Sequence, residues 1–319
     1  MRTPSSDDRE ALPPLVAIVG PTAVGKTTLA VRLAQAVGGE IVSADSRQVY
    51  RGMDIGTAKA TPQEWALVPH HLLDLLDPDR SLSLAQFQAL AYAAIDNILA
   101  RQKVPFLVGG TGQYVLAVVE GWQVPHVPPD EELRAGLYRQ AHEEGPEALH
   151  ARLRALDPVA AGRIDPRNVR RVVRALEVCL STGRPISAQQ NKSPPPYRVL
   201  LIGLTLPRAE LYRRVDRRVE EMIEAGLEAE VRRLVAAGYS FDLPSMSGVG
   251  YGQFAPYLAG EADLEDVVRE IKRATRRLVR HQFNWFRLDD PRFHWFSAEP
   301  DPFPVVLDLV RDFLAQHRG

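Results

Sequence analysis

The residues best equipped for chemistry open the chain's first glycine-bounded turn. GPTAVGKT runs Gly20, Pro21, Thr22, Ala23, Val24, Gly25, Lys26 and Thr27, and it fits the phosphate-loop pattern G-x-x-x-x-G-K-[ST]. Its glycines let backbone amides turn toward a phosphate, and the positive end of a following helix adds to the attraction. Lys26 can place a charge on an outer phosphate, and the Thr27 hydroxyl can ligate magnesium. A bound diphosphate or polyphosphate is therefore expected here.

Three other segments bring groups suited to the same site. ADSRQVY, Ala44 to Tyr50, offers the carboxylate of Asp45. That carboxylate could ligate magnesium, act as a general base or simply cap a turn, and Gln48 nearby could hydrogen-bond a base edge. GGTGQY, Gly109 to Tyr114, should point Thr111 into the same crevice, and the loop GMDIGTAK, Gly52 to Lys59, could clamp a substrate. Arg214 and Arg218 stand four residues apart in LYRRVDRRVEEM, on one face of a helix. An arginine aimed at the phosphate loop would neutralise charge on a leaving group.

Two arginine-rich runs suggest a polyanionic partner. Arg167, Arg170, Arg171 and Arg174 have the spacing of one helical face, with Val172, Val173 and Leu176 off it. Arg269, Lys272, Arg273, Arg276, Arg277 and Arg280 form the second run. Stacked like charges need phosphates or acidic neighbours, and a nucleic acid or internal salt bridges would satisfy either run.

The elements that must position these groups follow from apolar patterning. Leu15–Val19, Ile41–Ser43, Val104–Val108 and Val199–Leu204 read as buried strands, and Lys26–Ala36 and Ser83–Gln102 as helices. Strands alternating with helices predict an α/β fold with a parallel sheet flanked by helices. Between the prolines at 125–129 and those at 194–196 no strand candidate appears, so residues 125–197 are expected to form an inserted, small all-helical domain. The core would then comprise 15–124 and 198–319, with 1–14 a flexible tail. The chain has 319 residues, 39 basic and 40 acidic, for a net charge of −1 and a single cysteine, Cys179. That excludes a globally basic nucleic-acid binder and a disulfide framework. No run approaches the apolar length of a membrane span or a signal peptide, so a cytoplasmic protein is expected.

Taken in order, GPTAVGKT, ADSRQVYRGMDIGTAK, VPHHLLD, FLVGGTGQY, RRVVRALEV, GVGYGQ and HQFNWFR resemble the bacterial tRNA dimethylallyltransferases, also called tRNA isopentenyltransferases. The resemblance extends from Gly20 to Arg287, and its DSxQVY and GMDIGTAK block is the specific part. It implies a P-loop NTPase-like core and the transfer of a dimethylallyl group from dimethylallyl diphosphate to the exocyclic amine of the adenosine 3′ of the tRNA anticodon. The phosphate loop would hold the donor's diphosphate rather than ATP. Asp45, Thr111 and Arg218 would be catalytic, with Arg214 beside the diphosphate and Mg2+ on Thr27. Asp45, Ser46, Arg47 and Gln48 would face the target nucleotide. Arg170, Arg171, Val172, Val173 and Arg174, together with Gly250 and Tyr251, would contact the anticodon stem-loop, and the enzyme would be a monomer.

The sequence departs from the family's pattern at four positions. Arg170 stands where Gln is frequent, Gly252 where Lys or Arg is usual, and His281 and Asn284 where Arg and Thr are usual. Two other readings share the core: prenylation of free AMP, and an ATP-dependent small-molecule kinase.

Overall fold

The computed structural model describes residues 12–125 and 127–316. The chain divides into two compact units, one of residues up to Val119 joined with those from Pro195 onward, the other Glu120–Pro194. The expectation of a flexible tail over 1–14 falls mostly outside the described residues, and Pro14 already begins a strand.

The first unit is built on six parallel strands: β1 Pro14–Val19, β2 Gly39–Ser43, β3 His70–His71, β4 Val104–Gly109, β5 Arg198–Thr205 and β6 Phe293–Ser297. Their order across the sheet is β3-β2-β4-β1-β5-β6. β1 pairs with β4 on one side and β5 on the other, and all six of its residues, PLVAIV, are buried. A strand covered on both faces needs a continuous apolar run, which is how it reads in the sequence. The helices of this part are α1 Lys26–Val37, α2 Pro62–Leu67, α3 Leu84–Ala100 and α4 Gly112–Val119, of which α1, α3 and α4 pack on the sheet. α3 begins at a capping box, with Ser83 and Gln86 each accepting the other's backbone N–H, which starts the helix where its sequence pattern starts.

The second unit holds α5 Glu131–Glu143, α6 Pro146–Leu156, α7 Pro158–Ala161, α8 Val169–Thr182 and α9 Ile186–Gln189 around its own core. Its centre contains a carboxylate, Glu177, which is 0% exposed. Burial pushes that pKa up, but hydrogen bonds from Arg134, the Asp130 amide and Arg174 outweigh it and hold Glu177 below the ordinary carboxylate value. The chain enters and leaves this unit through a zipped pair of segments. Gln123 N–H donates to Asn191 O at 2.7 Å, and Ser193 N–H to Gly121 O at 2.8 Å. The unit begins at Glu120, ahead of the prolines at 125–129, and ends within the proline run, at Pro194.

After β5 the first unit adds α10 Arg208–Glu224, α11 Leu227–Ala236, α12 Phe254–Leu258, α13 Leu264–Trp285 and α14 Phe303–Ala315. Two strands escaped the sequence reading. β3 has only two residues, and β6 is an edge strand of mixed burial.

In this strand order the chain leaves β1 for β2, returns to fill the gap with β4, and then builds outward through β5. The crevice beyond the carboxyl ends of such strands is where ligands bind in open α/β sheets. The phosphate loop follows β1, ADSRQVY follows β2 and GGTGQY follows β4, so all three motifs reach one edge of the sheet.

Candidate active site

The phosphate loop turns on Gly25, whose φ of +100° at the N-cap of α1 is a conformation that favours glycine. The Lys26 ammonium folds back to donate to Pro21 O at 2.8 Å. Among the described residues no protein acceptor takes the N–H groups of Ala23 to Thr27. Such unclaimed amides at a helix start form an anion cradle.

Two cations and one carboxylate converge on this cradle. Burial, and then the positive charge of Arg218, press Lys26 down to a pKa of about 8, against a smaller lift from Asp45. Arg218 comes from α10, and burial lowers its pKa too, against lifts from Glu221 and Glu64. Among the described residues Arg218 makes no hydrogen bond or ion pair. A half-buried guanidinium and a half-buried ammonium that repel each other beside unclaimed amides form a site suited to an anion.

Arg214, one turn before Arg218, is different. Its guanidinium pairs with Glu299 and lies 3.6 Å from Glu210. Arg214 is thus already paired with carboxylates, where Arg218 is not.

The turn after β2 is stitched to the turn after β4. Asp45 Oδ1 accepts the Arg47 N–H at 2.9 Å, so this carboxylate does close a turn, with its other oxygen left over. Thr111 Oγ1 accepts the Ser46 N–H at 3.0 Å and directs its own proton at Ser46 Oγ, 3.3 Å away. Arg47 points its guanidinium at the carbonyls of Pro244 and Ser245.

Gln48 does not have the free amide that base reading would need. Its Oε1 accepts from Ser43 Oγ at 2.9 Å, and its Nε2 donates to Thr57 O and Ala58 O at 3.3 and 3.1 Å. Both amide protons are committed to the GTAK turn, so here Gln48 holds that turn.

The GMDIGTAK loop is anchored rather than open. Lys59 is buried, donating to Tyr50 O at 2.8 Å and bridging Asp54 and Asp74. From below, the carboxylate of Glu230 accepts the N–H groups of Asp54, Ile55 and Gly56 at 3.0, 2.9 and 3.1 Å, and the Tyr251 hydroxyl at 2.7 Å. No spacing rule singles out Glu230 in its helix. Tyr251 is 1% exposed, which corrects its expected RNA contact, since its ring and hydroxyl are enclosed. Gly250 bends the chain beside it at a φ of +97°.

In the second unit Val172 and Val173 are buried in the core, so their side chains cannot make the RNA contact expected of them. Arg174 is tied to Glu177 and to Val127 O. Arg167 precedes α8 and pairs with Asp165 at 2.7 Å, so it does not share the helical face. Arg170 and Arg171 are exposed and carry no ion pair among the described residues.

The second basic run lines an open groove of about 960 Å³ between α13 and Tyr212. Within it Arg269, Lys272, Arg273 and Arg276 pair with Asp266, Glu220, Glu270 and Asp216. Arg277 and Arg280 make no ion pair among the described residues.

No group of three or more His, Cys, Asp or Glu side chains suited to a metal occurs among the described residues. The oxygens at hand are the Thr27 hydroxyl, which makes no hydrogen bond among the described residues, and Asp45. That hard, incomplete set suits a magnesium that keeps waters and takes phosphate oxygens.

Comparison with known proteins gives a consistent result. A family described as "IPP transferase" matches residues 48–289. The chain is 59% identical over 274 residues to a tRNA dimethylallyltransferase of Roseiflexus sp., covering 86% of this chain and 90% of that protein. It is 51% identical over 304 residues to the one from Dehalococcoides mccartyi, covering 95% and 94%. Among solved structures, a tRNA isopentenylpyrophosphate transferase from Bacillus halodurans is similar with a TM-score of 0.70 at 42% identity, covering 95% of this chain and 97% of that one. A eukaryotic dimethylallyltransferase described as acting on tRNA is similar with a TM-score of 0.82 at 26% identity, covering 95% and 80%.

Proposed function

The chain belongs to the IPP transferase family and is a prenyl transferase acting on tRNA, and from that premise we propose how its residues perform the reaction. The donor is dimethylallyl diphosphate, and the acceptor is the exocyclic amine of the adenosine 3′ of the anticodon. The bond between the allylic carbon and the bridging oxygen breaks, and its electron pair leaves with diphosphate. The amine nitrogen bonds to that carbon and loses one proton.

The observation that carries this reading is the set of unclaimed amides of Ala23 to Thr27 at the start of α1, with the half-buried cations Lys26 and Arg218 close enough to repel each other beside them. Diphosphate gains charge as it leaves, so fixed cations and the unclaimed amides of Ala23 to Thr27 favour the transition state over the bound donor. Asp45 lies close enough to raise the Lys26 pKa and is the carboxylate placed to take the amine's proton. Thr111 turns its hydroxyl from Ser46 to the leaving oxygen when diphosphate is bound. Magnesium held by Thr27 would add charge neutralisation at the leaving group. The target base must leave the anticodon stack to reach the donor. Arg170 and Arg171 supply phosphate contacts to the anticodon stem-loop. The protein acts as a monomer in the cytoplasm.

The test is transfer of label from dimethylallyl diphosphate, with magnesium, to three acceptors. These are an anticodon stem-loop with adenosine 3′ of the anticodon, the same stem-loop with guanosine there, and free AMP. Label entering only the adenosine stem-loop, and lost in Asp45→Asn, is the expected result. Label on AMP, or ATP turnover in place of transfer, would overturn the reading.

A further inference from the structure

We propose that Gln282 is a positioning residue of the donor site, a neutral staple that holds the phosphate loop and the GGTG turn at a fixed separation. This rests on the loop being the diphosphate cradle. Gln282 lies near the end of α13, far in sequence from both segments, and is 7% exposed. Its Oε1 accepts the N–H of Thr22 at 2.9 Å, and its Nε2 donates to Gly110 O at 3.1 Å. The two contacts fix the orientation of the amide, since only the oxygen can accept and only the nitrogen can donate.

Three further observations give this contact a consequence for the cradle. First, Gln282 takes the N–H of Thr22, whereas among the described residues no protein acceptor takes those of Ala23 to Thr27. Gln282 therefore decides where the cradle begins. Second, Gly110 immediately precedes Thr111, and a Cβ at Gly110 would stand 2.4 Å from Gln282 Nε2. The turn is glycine where the amide must come close. Third, Trp285 covers Gly112 on the far side of Thr111, with a Cβ there meeting the Trp285 side chain at 2.3 Å. The last turn of α13 thus packs against the residues on either side of Thr111 in sequence.

The chemistry of the side chain matters as well. The staple needs an acceptor at one end and a donor at the other. A carboxylate supplies only acceptors and would oppose an incoming diphosphate. A lysine or arginine supplies only donors and would compete with Lys26 and Arg218 for the anion. A primary amide meets both needs without charge.

The experiment compares wild type with Gln282→Met, which keeps the volume and removes both hydrogen bonds, and Gln282→Glu, which keeps the acceptor alone and adds a charge. Binding of inorganic diphosphate with magnesium is measured by calorimetry, and KM is measured separately for dimethylallyl diphosphate and for tRNA. Expected are a loss of diphosphate affinity of about tenfold in Gln282→Met, a larger loss in Gln282→Glu, parallel rises in donor KM, and a tRNA KM within about twofold of wild type. Circular dichroism and melting temperature verify folding, and Gln282→Glu carries the test if Gln282→Met does not fold. Unchanged diphosphate affinity in both folded variants would overturn the proposal, as would a rise confined to tRNA KM. A wild-type protein that binds no diphosphate would instead overturn the reading of the loop itself.

Discussion

Lys26→Met should make the ligand-free protein more stable at neutral pH while destroying its activity. Burial and Arg218 lower the lysine from 10.5 to about 8, and each tenfold change in a group's proton affinity is worth about 1.4 kcal/mol. Keeping this ammonium charged at pH 7 therefore costs the native state about 3 kcal/mol. Lys26 retains some solvent exposure, which reduces that figure. The substitution also leaves Pro21 O without its 2.8 Å donor, a loss of about 1 kcal/mol. A net gain of about 1 to 2 kcal/mol is expected.

The sign follows from proton counting. Between pH 8 and 10.5 the unfolded chain holds the Lys26 proton and the native state has released it. Wild-type stability contributed by this group therefore rises with pH across that window and is flat below it. Lys26→Met lacks this contribution, so its advantage should shrink as pH passes 8. Urea unfolding of both proteins at pH 7 and pH 9.5 measures the difference directly. Adding diphosphate should reverse the order, since a ligand at 100 times its Kd stabilises wild type by about 2.7 kcal/mol. A Lys26→Met protein equal to or weaker than wild type at pH 7, or a difference independent of pH, would refute the claim that Lys26 is a desolvated charge that destabilises the ligand-free fold.

Four further outcomes are expected. Asp45→Asn should lower label transfer by about 10² to 10⁴ while calorimetric diphosphate binding persists; retained transfer would remove Asp45 as the base. Arg218→Met should weaken diphosphate binding at least about tenfold and move its alkaline limb upward from pH 8, because the like charge on Lys26 is gone. Replacing both Arg170 and Arg171 with Ala should weaken tRNA binding regardless of sequence, and the slope of log affinity against log salt should flatten by up to about 0.9 for each phosphate no longer neutralised; an unchanged slope would clear them of RNA binding. Glu230→Ala leaves three backbone N–H groups and the Tyr251 hydroxyl without their acceptor, and thermal unfolding should report a loss of about 3 kcal/mol or more.

Much of the frame was legible from local patterns. The continuous apolar runs at β1, β4 and β5 mark buried parallel strands because both faces of the sheet are covered. The phosphate loop declares itself because its conformation requires glycines at set positions and a lysine on the first turn of a helix. The convergence of GPTAVGKT, ADSRQVY and GGTGQY follows from each lying at a strand's carboxyl end. β3 and β6 were not legible, because two residues cannot establish a period and an edge strand is buried only in part.

The status of individual side chains was decided by tertiary structure. Arg214 and Arg218 share a helix, a residue type and a face, yet Glu299 arrives from beyond β6 to neutralise the first and leaves the second bare. Gln48 has the chemistry to read a base, but the carbonyls of Thr57 and Ala58 take its donors. Gln282 lies in the HQFNWFR segment, but nothing in that segment says what its amide touches, and only the docking of α13 brings it between two loops that are themselves distant in sequence. Backbone conformation is set mainly by neighbours in sequence, so motifs and periods reveal it. Whether a charge or an amide is free to act depends on which distant groups the fold delivers to it, and no spacing along the chain encodes that.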